Sequence, residues 1–353
     1  MGSVITGSGI AVPPHLVTNH DLARIMDTSD DWIRSRTGVA QRRFVEPGVG
    51  SSDLAIQAGL AALADAGLDP GELDLVVTAT MTPDVQAPGI VGKVQHGLGA
   101  GAVAGFDLRQ QCSGFLYGLD LADAWLTSGR GKRAIVIGAE VHAGYLPWGE
   151  TWPIVLGAPG EKADPEAYAR NTAHRAWSVL FGDGAGAMVL EASDAPGGVL
   201  GSRLRTAGEL SDLIRVPGVG FSRRPYIDAE QLDDDDHLPV MDGGGLYKNA
   251  VRLMPEVVLE VLEQCDLTAS DVDLVVAHQA NERILAGVRK QLGTDAATVP
   301  SNIAEWGNTT AGTLPILFHE LRQEGRVEPG MLVCFVAFGA GAHWGAVLYR
   351  VPD

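Results

Sequence analysis

Hydrophobic positions along this chain switch repeatedly between helical and strand periods. "AIQAGLAALADAG" (55–67) and "PEVVLEVLEQCD" (255–266) carry apolar residues at helical spacing. A polar turn and a short apolar run follow each of them, in "LDPGELDLVVTAT" (68–80) and "LTASDVDLVVAHQ" (267–279). These two segments align without gaps at an offset of 199 residues. Further on, "IVIGAE" (135–140) resembles "VCFVAFGAG" (333–341), each an apolar strand running into small residues. The order recurs, so the pattern predicts a duplicated α/β unit with halves at 1–195 and 196–353.

Three chemically interesting residues fall at corners of this pattern. "AVAGFDL" (102–108) reads as a strand, and from Ser113 the residues Phe115, Leu119, Ala122 and Leu126 keep helical spacing until Gly129. Cys112 is therefore expected at a helix N-terminus. "DLVVA" (273–277) reads as a buried strand ending at His278, and a helix follows with Asn281 as its N-cap and Ile284, Val288 and Leu292 on one face. Asn308 precedes another helix, with Leu314, Leu317 and Leu321 inward and Gly325 at its end. In the repeat, Asn308 falls within a few residues of the counterpart of Cys112.

Composition narrows the setting. With 353 residues, 46% hydrophobic content and 45 glycines, the chain suits a tightly packed α/β enzyme. No apolar run approaches the ~20 residues needed to cross a bilayer, so no membrane insertion is expected. "MGSVITGSGIAVPPHLV" lacks the basic and apolar regions of a secretory signal, which points to a cytoplasmic location. A net charge of −18 argues against nucleic acid as a partner and requires a local basic patch for any acidic one. The three cysteines, Cys112, Cys265 and Cys334, are widely spaced and form no CxxC pair, so neither a disulfide nor a metal site is expected. Cys265 and Cys334 read as small buried hydrophobes. Cys112 reads differently.

At a helix N-terminus, unpaired N–H groups and partial positive charge favour thiolate over thiol. The backbone N–H of Cys112 can also face an oxyanion formed beside it, with a second donor from the turn "FGAGAHWG" (338–345). His278 and Asn308 can each donate a hydrogen bond to a developing negative oxygen. Together the three suggest covalent acyl transfer. The order Cys–His–Asn also fits a papain-like protease, but the "CGSCW"-type surroundings of that family are absent.

The motifs "DTSDDWIRSRTGV" (27–39), "QCSGFLYGL", "FGDGAGAMVL" (181–190), "AHQANERIL" (277–285), "WGNTTAGTLPI" (306–316) and "FGAGAHWG" together resemble the β-ketoacyl-acyl carrier protein synthase III family, nearly end to end. The resemblance implies a thiolase-like fold, two duplicated halves in a five-layered αβαβα arrangement, and a homodimer. It implies Cys112, His278 and Asn308 as the catalytic set, with oxyanion donors at the backbone of Cys112 and Ala340; Ala340 stands where the family usually has glycine. It implies an acyl-CoA primer and malonyl-acyl carrier protein as substrates, and no cofactor beyond the CoA thioester itself. Trp32, Arg36, Arg175 and Asn281 match CoA-binding positions, with an adenine expected between Trp32 and a guanidinium. Lys248, Arg283 and Lys290 match a docking face for the acidic carrier protein. Ala87 matches the residue that closes the partner's acyl pocket, where Val85, Gln86 or the 142–170 segment are alternative fillers.

Two departures stand out against the family. "RQQC" replaces the small residues usual before the nucleophile, and the segment between Gly138 and Phe181 is longer than usual. Its aromatic, Pro and acidic residues suggest an ordered lid or interface loop over 142–170. The run Gly182 to Gly186 lacks the Walker Lys and reads as a tight backbone crossing instead of a phosphate loop. No glutamate is evidently placed to act as a base on an α-proton, as a non-decarboxylating condensing enzyme requires.

Overall fold

The computed structural model describes residues 2–158 and 162–353. Its strands are β1 (Gly2–Ala11), β2 (His15–Thr18), β3 (Gln41–Phe44), β4 (Leu75–Ala79), β5 (Ala104–Leu108), β6 (Arg133–Glu140), β7 (Gly184–Ser193), β8 (Gly198–Thr206), β9 (Leu274–Ala277), β10 (Leu332–Gly339) and β11 (His343–Arg350), besides a short pair at 214–215 and 240–241. The longer helices are α1 (Asp30–Thr37), α2 (Ser51–Ala66), α3 (Val91–Leu98), α4 (Gly114–Thr127), α5 (Pro165–Ser178), α6 (Gly243–Gln264), α7 (Glu282–Leu292) and α8 (Thr313–Gln323).

Two sheets carry the duplication. The first has the order β1-β7-β6-β4-β5 and the second the order β8-β11-β10-β9. Matched strand for strand, β8 corresponds to β1, β11 to β7, β10 to β6 and β9 to β4. The β4–β5, β4–β6 and β9–β10 pairs are parallel, and the remaining pairs of the two sheets are antiparallel. Strands β4, β9 and β10 are buried along their whole length, which is why they read as unbroken apolar runs.

Helices α4 and α8 lie between the sheets. Phe115, Leu119, Leu126, Leu314, Leu317 and Leu321 share one core with Val77 and Val136 of the first sheet and Phe335 and Val347 of the second. The outer face of the first sheet packs on α2 and α3, and that of the second on α6 and α7. This is the five-layered αβαβα arrangement expected of a thiolase-like fold.

A cap sits beside the first half. Val17, Ile33, Phe44, Trp148, Val155 and Trp177 form its core, with Trp148 edge-on to Phe44 at 5.5 Å. The buried Arg42 is held there by Asn19 Oδ1 at 2.7 Å and the Val179 carbonyl at 2.9 Å. The segment expected as an ordered lid or interface loop over 142–170 belongs largely to this cap, because Trp148, Trp152 and Ile154 give it an apolar face that must be covered. Only its first residues, His142 and Tyr145, reach the central cavity; residues 159–161 lie outside the described residues.

Candidate active site

Strand β5 delivers the chain to a tight turn at Gln111–Ser113, where Gln111 takes φ 52°, and α4 begins at Gly114. Cys112 thus precedes the first turn of a helix, as the spacing predicts. The turn after β10 passes close against it. A Cβ on Gly339 would lie 3.0 Å from both the Cys112 and Ser113 nitrogens, so only glycine permits that approach. The backbone N–H groups of Cys112 and Ala340 both stabilise the thiolate.

The expected ready thiolate is corrected by the structure. Burial, with the Glu140 carboxylate adding to it, pushes the Cys112 thiol up to about 12, and the two N–H groups only partly oppose that. Cys112 therefore rests as a thiol. Cys334 is buried as expected, whereas Cys265 is only partly buried, because it caps the C-terminus of α6 at the surface.

His278 directly follows β9 and is buried, with its N–H on the Val336 carbonyl at 2.9 Å. Burial pushes its imidazole down to about 3, so it stays neutral. Nδ1 lies 2.7 Å from Thr313 Oγ1, which is itself 2.9 Å from the Thr310 carbonyl. If the hydroxyl donates to the carbonyl, Nδ1 keeps its proton and Nε2 can only accept. If it donates to Nδ1, Nε2 carries the proton and donates. The Thr310 carbonyl also receives the Thr313 backbone N–H, so it retains a partner either way. Thr313 therefore selects the His278 tautomer.

Asn308 is fixed by two elements. Its N–H meets the Leu180 carbonyl at 2.8 Å, and its carbonyl accepts from Gly182 at 3.2 Å, bridging it to Phe181. Its Oδ1 accepts from the Thr310 N–H at 2.8 Å, which orients the amide and leaves Nδ2 to donate. The Gly182–Gly186 run is a close backbone crossing, as read from the sequence: a Cβ on Gly182 would meet the Trp306 carbonyl at 2.4 Å, and one on Gly186 would meet Pro315 at 2.8 Å.

Cys112, His278, Asn308 and Ala340 line one cavity of about 750 Å³, together with Trp32, Arg36, Asn281 and Arg283. Helix α1 positions Trp32: Ser29 caps it through the Trp32 N–H at 3.1 Å, and Gly38 ends it in the left-handed region at φ 83°. Asn281 caps α7 through the Arg283 N–H at 2.9 Å, and its Nδ2 donates to the Arg36 carbonyl at 3.0 Å. Arg36 and Arg175 both lie over the Trp32 ring, at 4.5 Å and 4.8 Å from its centroid. An intervening base needs about 7 Å, twice the ~3.5 Å contact distance. Neither guanidinium leaves room for an adenine against the Trp32 ring in this structure, and Asp27 holds Arg175 there at 2.9 Å.

Lys248, Arg283 and Lys290 are exposed on α6 and α7, and Arg283 lies over Tyr247 at 5.7 Å. Ala87 is exposed and does not line the cavity; Val85 beside it is 51% exposed.

Sequence reasoning missed Glu140. It ends β6 fully buried, with Met81 N at 3.0 Å, Thr80 Oγ1 at 3.2 Å and Thr82 Oγ1 at 2.7 Å from its carboxylate. Burial pushes it up to about 7. The signal was a lone charge closing an apolar strand. Its oxygens are taken up by these groups and it does not line the cavity, so it offers no base to an α-proton there.

A thiol at a helix N-terminus, two backbone N–H groups beside it and a His–Asn pair, on a duplicated α/β scaffold, have the layout of a thiolase-fold condensing enzyme. Two family models match this chain: 3-oxoacyl-[acyl-carrier-protein] synthase III over residues 106–158 and 163–208, and its C-terminal part over residues 262–351. The β-ketoacyl-[acyl-carrier-protein] synthase III of Rhodospirillum rubrum is 42% identical, with 99% of each chain covered. The crystal structure of 3-oxoacyl-[acyl-carrier-protein] synthase III from Aquifex aeolicus superposes with a TM-score of 0.84 at 38% identity, covering 99% of this chain and 100% of that one. A priming β-ketosynthase from a polyketide pathway superposes with a TM-score of 0.83 at 29% identity, covering 99% of this chain and 96% of that one. The chain belongs to the β-ketoacyl-acyl carrier protein synthase III family.

Proposed function

We propose that this protein joins an acyl-CoA primer to malonyl-acyl carrier protein by decarboxylative condensation, starting a fatty acid or polyketide chain. Cys112 sulfur attacks the thioester carbonyl, the CoA sulfur leaves with the thiol proton, and the acyl group stays on Cys112. The malonyl carboxylate then departs as CO₂, and the enolate carbon left behind attacks the Cys112-bound carbonyl. Collapse of the tetrahedral oxyanion, held by the N–H groups of Cys112 and Ala340, expels the cysteine sulfur and frees the 3-oxoacyl product.

The arrangement of His278 and Asn308 supports this reading most. A group held at about 3 is a poor base for a thiol pushed to about 12, so His278 acts as a neutral donor to the enolate oxygen beside Asn308 Nδ2. That role requires Thr313 to donate to His278 Nδ1. Trp32, Arg36, Arg175 and Asn281 form the CoA mouth, and Arg175 swings off Trp32 to admit the adenine. Lys248, Arg283 and Lys290 receive the acidic carrier. A homodimer in the cytoplasm fits the exposed edge strand β5, whose Phe106 is 37% exposed, and brings Ala87 to the partner's acyl pocket. Among the described residues no helix is long and apolar enough to cross a membrane.

The experiment is to follow both half-reactions in His278→Ala and Asn308→Ala. Each should still acylate Cys112 yet lose condensation by ~10²-fold or more, the scale of losing an oxyanion donor. CO₂ release at wild-type rates in both variants would remove the enolate role.

A further inference from the structure

Strands β6, β4 and β5 run parallel and adjacent, so the turns that follow them lie side by side at one end of the first sheet. Those turns bring His142, Tyr145, Met81 and Arg109 to the wall of the cavity that holds Cys112. Arg109 directly follows β5 and stands three residues before Cys112. Its carbonyl accepts from Gln111 Nε2 at 3.0 Å, which fixes the backbone of this turn. It opens "RQQC", the stretch in which this chain carries large polar residues just before the nucleophile.

Four arginines line the cavity among the described residues, and three of them are engaged. Arg36 lies over Trp32, Arg283 lies over Tyr247, and Arg215 pairs with Asp212 at 3.2 Å. Arg109 is exposed and has no side-chain hydrogen bond, ion pair or ring partner among the described residues. Its charge reaches the Tyr145 phenol: burial pushes that phenol up to about 12, and the Arg109 guanidinium opposes the rise. Tyr145 is partly buried, and its hydroxyl has no hydrogen-bond partner among the described residues. This wall of the cavity thus holds two unengaged donors, a guanidinium and a phenol, beside the apolar Met81.

A carboxylate matches such a pair, because it only accepts and a guanidinium can meet both of its oxygens. It belongs on the primer and not on the malonyl donor. A cation on the malonyl carboxylate would stabilise the group that must leave as CO₂ and so oppose decarboxylation. We propose that Arg109, with Tyr145 beside it, determines primer specificity by pairing with a carboxylate at the far end of the acyl chain, so that the enzyme takes a dicarboxylic acyl-CoA. This inference rests on the acyl-CoA reading above, and it adds the chemistry of the primer.

The test pairs succinyl-, glutaryl- and adipyl-CoA with butyryl-, valeryl- and hexanoyl-CoA, their monocarboxylic partners of equal carbon count. The readout is the rate of Cys112 acylation by intact mass. Both members of a pair carry the same CoA, so the CoA mouth drops out of their ratio. In the wild type at least one dicarboxylic member should react about tenfold faster than its partner, an effect between that of an exposed ion pair and that of a well-made charged hydrogen bond. Arg109→Gln should bring the ratio down to one or below, and Arg109→Lys, which keeps the charge, should retain part of it. Added salt should shrink the wild-type ratio and leave that of the glutamine variant alone. A merely structural role for Arg109 would change both rates together and leave the ratio alone. Should Arg109 instead pair with a carboxylate of a second copy, Arg109→Gln would weaken self-association at an unchanged ratio, which overturns the inference. It is equally overturned if every monocarboxylic member matches or outpaces its partner in the wild type, or if the preference survives Arg109→Gln; acylation by the monocarboxylic members then leaves the acyl-CoA reading standing. If no member acylates Cys112, the acyl-CoA reading falls and this inference falls with it.

Discussion

Glu140→Gln probes the electrostatics around Cys112. The carboxyl is fully buried, is bonded only to neutral donors among the described residues, and is pushed by burial from 4.5 up to about 7. At about 1.4 kcal/mol per unit, that displacement corresponds to about 3 kcal/mol. The folded state prefers the neutral carboxyl. The wild-type contribution is therefore fully present below pH 4.5 and is lost as pH rises through 7. Glutamine keeps the shape and does not ionise, so the variant lacks this dependence. Urea unfolding at pH 5 and pH 8 should show the stability difference moving by about 2–3 kcal/mol in the variant's favour at the higher pH. Other titrating groups are common to both proteins and drop out, apart from Asp183, Cys112 and Tyr145, whose upward push partly comes from Glu140 and eases with it. The same substitution removes a charge that raises the Cys112 thiol, so iodoacetamide should alkylate Cys112 severalfold faster at pH 8. A stability difference that does not change with pH, together with unchanged alkylation, would refute the reasoning.

Three further outcomes follow from the geometry. Thr313→Val should slow condensation by about 10- to 100-fold with a smaller effect on Cys112 acylation, and Thr313→Ser should restore it, because either hydroxyl can set the His278 tautomer. Lys290→Glu, remote from the cavity lining, should weaken use of malonyl-acyl carrier protein most at low salt while sparing acylation by acyl-CoA; equal loss in both half-reactions would point to a folding defect. Ala87→Phe should shift acyl-CoA preference toward shorter chains, at about 0.8 kcal/mol per buried methylene; an unchanged chain-length profile would remove Ala87 from the pocket.

Much of the scaffold is legible because its signals are local. The helix ending at Gln264 buries one periodic apolar face and the strand Leu274–Ala277 an unbroken apolar run, and their first-half counterparts repeat both. Cys112 and Asn281 were placed by where a period changes, which is where caps and turns occur. What stayed hidden depends on partners far apart in the chain. The pairing of His278 with Thr313 spans 35 positions, and burial of Glu140 against Thr80, Met81 and Thr82 joins segments about 60 positions apart. The expected thiolate failed for the same reason: a helix end is visible in sequence, but the depth at which it is buried is not. The 142–170 segment, read as an ordered lid or interface loop, gives much of its apolar surface to the cap, because aromatic residues do not reveal in sequence which surface they cover.

The most direct test of the account is a two-step chase on Cys112. After mixing with an acyl-CoA, peptide mapping should find one acyl group, on Cys112, absent in Cys112→Ala. Adding malonyl-acyl carrier protein should then discharge it with release of CO₂ and appearance of a 3-oxoacyl product in equal amounts. Label on Cys265 or Cys334 at comparable yield, or discharge of the acyl group without CO₂, would contradict it.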